Sequence, residues 1–271
     1  MDHIVNRRPA PYAGTQAVRR AVRLLKTLGG DASEPTLAGL VRATGLNKTT
    51  TYRLLTALEA EGLVERGAGD GYRLGPELAA LAGRALGSHE LREAARPELV
   101  ALARATGEAA HLEVRAGLET LILDEATGGH RVGATPSVGT RWPAHATSTG
   151  KVLLAALDPA DLAELLVAPL AALTPRTITD PAALRRELAR VRARGYATGL
   201  EELEPGFMAV AVPVRARDGQ VVAALGVGGP RVRLDPERLA DIAKTLPEHA
   251  ARISARLGAA APNTRRRKER R

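Results

Sequence analysis

Apolar residues recur at helical spacing over residues 15–28, TQAVRRAVRLLKTL, where Val18, Val22, Leu25 and Leu28 share a face and Arg19, Arg20, Arg23 and Lys26 fall elsewhere. Gly29-Gly30 closes that helix. The stretch TLAGLVRATG sets Leu37, Leu40 and Val41 inward on a short helix ended by Gly45. A third helix runs from Asn47 to about Ala60, its apolar side made by Leu54, Leu55 and Leu58. LVER and YRL then alternate on either side of GAGDG, a hairpin signal. Pro76 opens another helix, PELAALAGRAL. Beyond it the pattern gives a helix over Glu90 to Thr106, strands HLEVRA and TLILDEA, a loop region from Gly128 to Thr147, and helices at about Thr149 to Leu157 and Pro181 to Arg194. Three further extended runs follow, YATGLEE, MAVAVPVRA and QVVAALGVG, the last two joined by an RDG turn, before a closing helix from Pro236 to Leu257. Strands in a run with helices before, between and after them predict an α+β sheet domain.

Three helices and a small β-wing in the first 75 residues predict a winged helix-turn-helix, whose second helix of the pair can enter the DNA major groove. The first turn of that helix carries three threonines, Thr49 to Thr51, which are stiff at χ1 and mediocre helix formers. Groove contact gives them a reason to be there. Asn47 is a suitable N-cap, and Lys48, Thr49, Thr50, Tyr52, Arg53 and Thr56 point away from the leucine face, with Thr51 between the two. Hydroxyls can meet phosphates or base edges, a threonine methyl can meet a thymine methyl, and Arg53 can pair with a phosphate or a guanine. Arg66 and Arg73 flank the wing tip and are candidates for contacts with the neighbouring backbone. Plain solvation of each of these side chains is the competing reading, as is a winged-helix module that binds protein.

Charge sharpens this division. The net +9 of the 271-residue chain lies at its ends: residues 1–85 carry 12 Lys/Arg against 8 Asp/Glu, the middle to residue 257 carries 21 against 21, and the tail 258–271 carries 6 against 1. A basic N-terminal domain beside a neutral one suggests a polyanion held by the first and something else by the second. Aromatics make up 2% of the chain, which argues against stacking platforms for single strands. Zero cysteines exclude disulfides, thiolate metal sites and cysteine nucleophiles. No apolar run approaches the ~20 residues of a membrane span, and the first residues lack a secretory core, so a cytoplasmic protein with no membrane partner is expected. The histidines, His111, His130 and His145 among them, show no ligand spacing; no metal and no cofactor are expected. Glu201, Glu202 and Glu204 read as loop carboxylates rather than an acid/base pair, Ser148 lacks a G-x-S-x-G setting, and catalysis is not expected.

The segment TLAGLVRATGLNKTTTYRLLTALEAEGLVERGAGDGYRLGPELAALA resembles the winged helix-turn-helix of the IclR family of bacterial transcription regulators. RPELVALARATGEAAHLEV, WPAHATSTGKVLLAAL, GYATGLEELEPGFMAVAVPV and GQVVAALGVGGPRVRL resemble, in order, segments of that family's effector domain, so the likeness spans roughly 15–257. Pattern and charge give a flexible basic arm at 1–14, a linker helix at 76–88 and a basic disordered tail at 258–271, and the resemblance implies a DNA-binding domain at 15–75 and a GAF-like effector-binding and oligomerising domain at 89–257. It further implies a homodimer or dimer of dimers on palindromic operator DNA, with repression of a catabolic operon as the expected sense. Effector positions carried over by motif are Ser148, Thr149, Gly199, Ala209, Gly226 and Gly228. Small-acid binders of the family tend to carry an aspartate, a cysteine and two serines where this chain has Gly199, Ala209, Gly226 and Gly228. The expected effector is therefore larger and more apolar, an aromatic acid first, its anionic group held at the helix start by Ser148 and Thr149. Alternatively, the glycines only let helix pack closely on strand. Two rivals remain: an architectural DNA binder whose second domain only oligomerises, and an enzyme with an accessory DNA-binding domain.

Overall fold

The computed structural model describes residues 15–30, 34–78, 81, 88–129 and 138–259. The chain forms two compact units, Met1–Gly87 and Ser88–Arg271. The expected arm at 1–14, most of the expected linker helix after Leu78, His130 and the tail from residue 260 lie outside the described residues.

In the first unit, α1 (Gln16–Leu28), α2 (Leu37–Thr44) and α3 (Lys48–Ala60) precede an antiparallel hairpin of β1 (Val64–Arg66) and β2 (Tyr72–Leu74). Leu24, Leu28, Leu40, Leu55, Leu58, Val64 and Tyr72 form its core. The expected inner face of α1 needs correction: Val18 and Val22 are exposed, and Leu24 is buried with Leu28. On a 100° wheel Ala21, Leu24, Leu25 and Leu28 span a tight arc, so the core takes the side with the longer leucines. Thr36 caps α2 through the Gly39 amide, and Gly45, at φ 67°, ends it in the left-handed conformation that glycine adopts without strain. Before α2 the chain lies against the wing, where the Tyr72 amide donates to the Pro35 carbonyl at 3.0 Å. A Cβ at Gly71 would stand 2.8 Å from the Glu34 backbone, so only glycine allows that approach.

The second unit is a six-stranded antiparallel sheet ordered β5-β4-β3-β8-β7-β6. Its strands are β3 (Ala109–Ala116), β4 (Glu119–Ala126), β5 (Arg141–Pro143), β6 (Ala197–Leu200), β7 (Phe207–Arg215) and β8 (Val221–Pro230). One face packs on α4 (Ser88–Thr106) and α8 (Pro236–Arg256) through Leu99, Leu102, Leu112, Val210, Leu225, Leu246 and Ile253. The other carries α5 (Ser148–Ala155), α6 (Pro159–Leu165) and α7 (Pro181–Arg194) through Val152, Leu154, Leu184, Leu188, Ala211 and Ala224. Burial on both faces explains why β7 and β8 read as almost unbroken apolar runs. α6 and β5 fall where no regular element was expected. A β-bulge follows Leu112: that residue pairs with Asp124 while Glu113 pairs with Ile122. The extra residue keeps Ile122 and Glu125 on the α5 side, leaving Asp124 to meet Arg96 of α4 at 3.0 Å. Among the described residues, no helix is long and apolar enough to cross a membrane.

Candidate functional site

Asn47 caps α3, its Oδ1 accepting from the Thr50 amide at 2.8 Å. The cap fixes which side chains of the first turn face out. Asn47, Lys48, Thr49, Tyr52, Arg53 and Thr56 are exposed and Thr50 is half-buried, while Leu55 and Leu58 lie on the opposite side in the core. Thr51 is wholly buried, and its hydroxyl donates back to the Asn47 carbonyl at 3.0 Å, which satisfies the polar atom that burial would otherwise strand. The threonine run thus splits, two residues outward and one inward. Among the described residues, neither Lys48 nor Arg53 has a hydrogen-bond or ion-pair partner. The wing arginines are engaged: Arg66 lies 3.5 Å from Glu59 and 5.5 Å from the centre of the Tyr72 ring, and Arg73 is 2.7 Å from Glu65 and 3.6 Å from Glu34. All three ion pairs lie at the surface, where such contacts are weak and salt-screened.

In the second unit, a cavity of about 330 Å³ opens between the sheet and the start of α5. Five of the six expected effector positions, Ser148, Thr149, Gly199, Ala209 and Gly228, line it; Gly226 does not. A Cβ on Gly226 would stand 2.9 Å from the Thr149 methyl, so this glycine is covered by the helix and serves close packing, the alternative reading of the pair. Gly150 has the same purpose beneath α5, where a Cβ would run into the Ala144 backbone. Strand alternation sends Ala109, His111 and Glu113 of β3 into the cavity while Ala110 and Leu112 enter the opposite core. Trp142, Ile122, Phe207, Leu203 and Pro205 supply apolar walls.

Thr147 caps α5 by accepting from the Gly150 amide at 3.0 Å, leaving the Ser148 and Thr149 amides without acceptors among the described residues. Thr149 uses its hydroxyl to donate to Glu113 Oε2 at 2.7 Å. Burial raises the Glu113 carboxyl above its ordinary range, against the lowering effect of that hydroxyl, and raises Glu125 too, with Asp124 and Glu113 adding to it. Burial drives the His111 imidazole down to about 4, so it is neutral at pH 7. Lys151 and Glu202 form an ion pair at 2.6 Å, both buried, Glu202 on the cavity wall. Thr177 donates to the Glu202 carbonyl at 2.7 Å and Thr174 to that of Glu201 at 2.8 Å, fixing the loop before β7. Glu201, at φ 60°, turns outward to Arg231 at 2.8 Å, and His145 is a buried histidine whose Nε2 lies 2.9 Å from the Ala171 carbonyl. Sequence reading did not pick out His111, Glu113, Glu125, Trp142, Phe207 or Lys151 as site residues. The alternation in HLEV was the one signal that placed the first two on a common face.

A winged helix-turn-helix followed by a sheet unit with a cavity between sheet and helix defines a class of protein, the DNA-binding transcription regulator with its own small-molecule domain. The comparisons agree and say which branch. The family model "IclR helix-turn-helix domain" matches residues 17–68, and "Bacterial transcriptional regulator IclR C-terminal" matches 83–255. The Glycerol operon regulatory protein of Streptomyces griseus is 38% identical over 247 residues, covering 90% of this chain and 97% of that one. The HTH-type transcriptional regulator XynR of Escherichia coli is 34% identical over 245 residues, again 90% and 97%. Among solved structures, an IclR homologue from Microbacterium hydrocarbonoxydans complexed with 4-hydroxybenzoate superposes with a TM-score of 0.78 at 33% identity, covering 90% of this chain and 100% of that one. The chain belongs to the IclR family of bacterial transcriptional regulators.

Proposed function

We propose that the protein is a homodimeric or tetrameric repressor of a catabolic operon, relieved by an organic acid with an aromatic ring. Asn47, Lys48, Thr49, Thr50, Tyr52, Arg53 and Thr56 read a half-site of palindromic operator DNA, and Arg66 and Arg73 exchange their exposed carboxylate partners for backbone phosphates. Two such helices, related by the protein's symmetry, read half-sites one helical turn apart or a multiple of that. The segment 76–88, the covalent route between the two units, carries the effector's influence. A ligand acts only as far as it favours one arrangement over another.

The observation that carries the effector half is the pair of amides at Ser148 and Thr149, without acceptors among the described residues, on two residues that line a cavity walled by Trp142, Phe207 and Ile122. Among the described residues no arginine or lysine lines it, so there a carboxylate has those backbone donors and the helix N-terminus to neutralise it. The 4-hydroxybenzoate held by the similar Microbacterium protein supports this class. A polyol-derived anion is the second reading, favoured by the glycerol operon relative and by the several carboxylates able to accept hydroxyls.

The test begins with sequencing DNA fragments retained by the purified protein. Their release is then followed by fluorescence anisotropy against a panel of benzoates, short aliphatic acids and polyol phosphates, with thermal melting beside it. Benzoates should release the DNA and raise the melting temperature, since a ligand of the native state stabilises it. Polyol phosphates alone doing so would support the second reading, and stabilisation by no member would favour the architectural alternative.

A further inference from the structure

The cavity floor is one continuous cross-strand row. Gly199 of β6 is the register partner of Ala209 of β7, Ala209 of Gly228 of β8, and Gly228 of Ala109 of β3. Four neighbouring strands thus place only glycine or alanine along a single line, and the absent side chains make a flat trough. What stands over its two glycines differs. Over Gly199 lies the Ser148 amide, 3.4 Å from where a Cβ would be, so the glycine leaves that donor uncovered. Over Gly228 lies the His111 ring, its Nε2 at 3.2 Å from the equivalent position, with the Phe207 ring edge at 2.6 Å.

His111 is not explained by the fold. Its Nδ1 is buried and has no hydrogen-bond partner among the described residues. The ring is half-buried, with Nδ1 sealed from solvent and Nε2 on the cavity side; a sealed ring nitrogen with an unmade hydrogen bond costs stability, and an apolar residue would fill the space without it. Its cross-strand neighbour is Glu125, which also lines the cavity. The trough therefore has a donor end and, two strands away, an imidazole end backed by a carboxyl. Strands lie ~4.8 Å apart, so Gly199 and Gly228 are separated by about 10 Å. One six-membered ring laid over Ala209, with polar groups para to each other, spans the two ends; a short aliphatic acid reaches only one.

We propose that His111 is the specificity-determining residue of the cavity, and that it selects a para-hydroxylated aromatic acid by hydrogen-bonding the hydroxyl while the carboxylate sits at the Ser148 amide over Gly199. This rests on the reading of the cavity as the effector site for aromatic acids and adds to it the reason one acid is preferred over another. At neutral pH the ring is uncharged, because burial lowers its pKa to about 4, so it offers a lone pair or an N–H to a hydroxyl and no positive charge to a second carboxylate. A ligand lacking the hydroxyl leaves Nε2, the ring nitrogen on the trough side, without that hydrogen bond, which is how a polar site rejects an apolar analogue.

The experiment is calorimetric titration of the full-length protein with 4-hydroxybenzoate, 3-hydroxybenzoate, 4-methylbenzoate and benzoate. The wild type should bind the 4-hydroxy acid at least about tenfold more tightly than the 4-methyl acid or benzoate. His111→Leu should bind all four within about threefold of one another, and His111→Asn, which keeps a hydrogen-bonding group, should retain part of the preference. Equal wild-type affinities for the 4-hydroxy and 4-methyl acids would overturn the proposal while leaving the aromatic-acid reading intact. So would an undiminished preference in a His111→Leu protein that melts cooperatively. Should that variant fail to fold, the wild-type ratio and His111→Asn decide. Binding of none of the four removes the aromatic-acid reading and this proposal together.

Discussion

Lys151→Met tests the energetics of the cavity wall directly. The Lys151 ammonium and the Glu202 carboxylate are 2.6 Å apart with 1% and 7% of their residue surfaces exposed. Removing the cation leaves Glu202 with only the Leu200 amide at 3.4 Å on Oε1, and Oε2 already lacks a partner among the described residues. An uncompensated buried charge of this kind costs about 3–5 kcal/mol, whereas exchanging both partners for neutral groups of similar volume is often close to neutral. For a domain of this size each kcal/mol moves the melting temperature by about 2–4 °C, so the single variant should melt about 6–20 °C lower. Lys151→Met/Glu202→Gln should recover most of that loss. Urea titration followed by Trp142, the sole tryptophan and a residue of the cavity wall, reports on this unit alone. A single variant within about 1 kcal/mol of the parent, or a double variant no more stable than the single, would refute the treatment of this pair as desolvated and mutually dependent.

Arg53→Ala should weaken operator binding by about 5- to 100-fold in anisotropy titrations while the melting temperature stays unchanged, because the side chain has no protein partner among the described residues. Gly228→Leu should abolish the effector response and keep operator binding, since its first added carbon would fall 2.6 Å from the Phe207 ring and the rest would fill the trough. His111 also predicts a pH effect on stability. Its folded pKa of about 4 lies below the unfolded 6.5, so the unfolded chain takes up the proton first; the stabilisation is complete above pH 6.5 and is lost as pH falls through about 4. The difference between the wild-type and His111→Phe stability curves should therefore change by about 3 kcal/mol between those pH values, and a flat difference would mean the ring is hydrated in solution.

The parts of the molecule that sequence makes legible are those set by local periodicity and capping. Asn47, the leucines behind α3, the wing glycines and the two-sided burial of β7 and β8 all act over a few residues, and each left its mark on the pattern. The α1 face was misread because Val18, Val22, Leu25 and Leu28 satisfy helical spacing as well as Leu24 and Leu28 do; which arc wins is decided by what α2, α3 and the wing offer to pack against. β5 has three residues and α6 seven, too short for a period to register.

The cavity shows the deeper limit. Lys151 and Glu202 are 51 positions apart, and the row Gly199, Ala209, Gly228, Ala109 exists only because three strand registers happen to align. The family resemblance supplied positions at the start of α5 and on β6, β7 and β8, because they sit in recognisable motifs. It reached HLEV of β3 as well but carried no effector position there. HLEV does alternate, but polar residues at alternate positions of a strand ordinarily mean a wet face, and the sequence holds no sign that α5 closes over His111 and Glu113. Whether such a face is solvated or walled in is a property of the layer above it, and that layer begins more than 30 residues further along the chain. The same side chains that would be unremarkable in water become, under that cover, a neutral imidazole and a carboxyl with a raised pKa. Their chemistry is conferred by burial, so it becomes visible only once the fold is known.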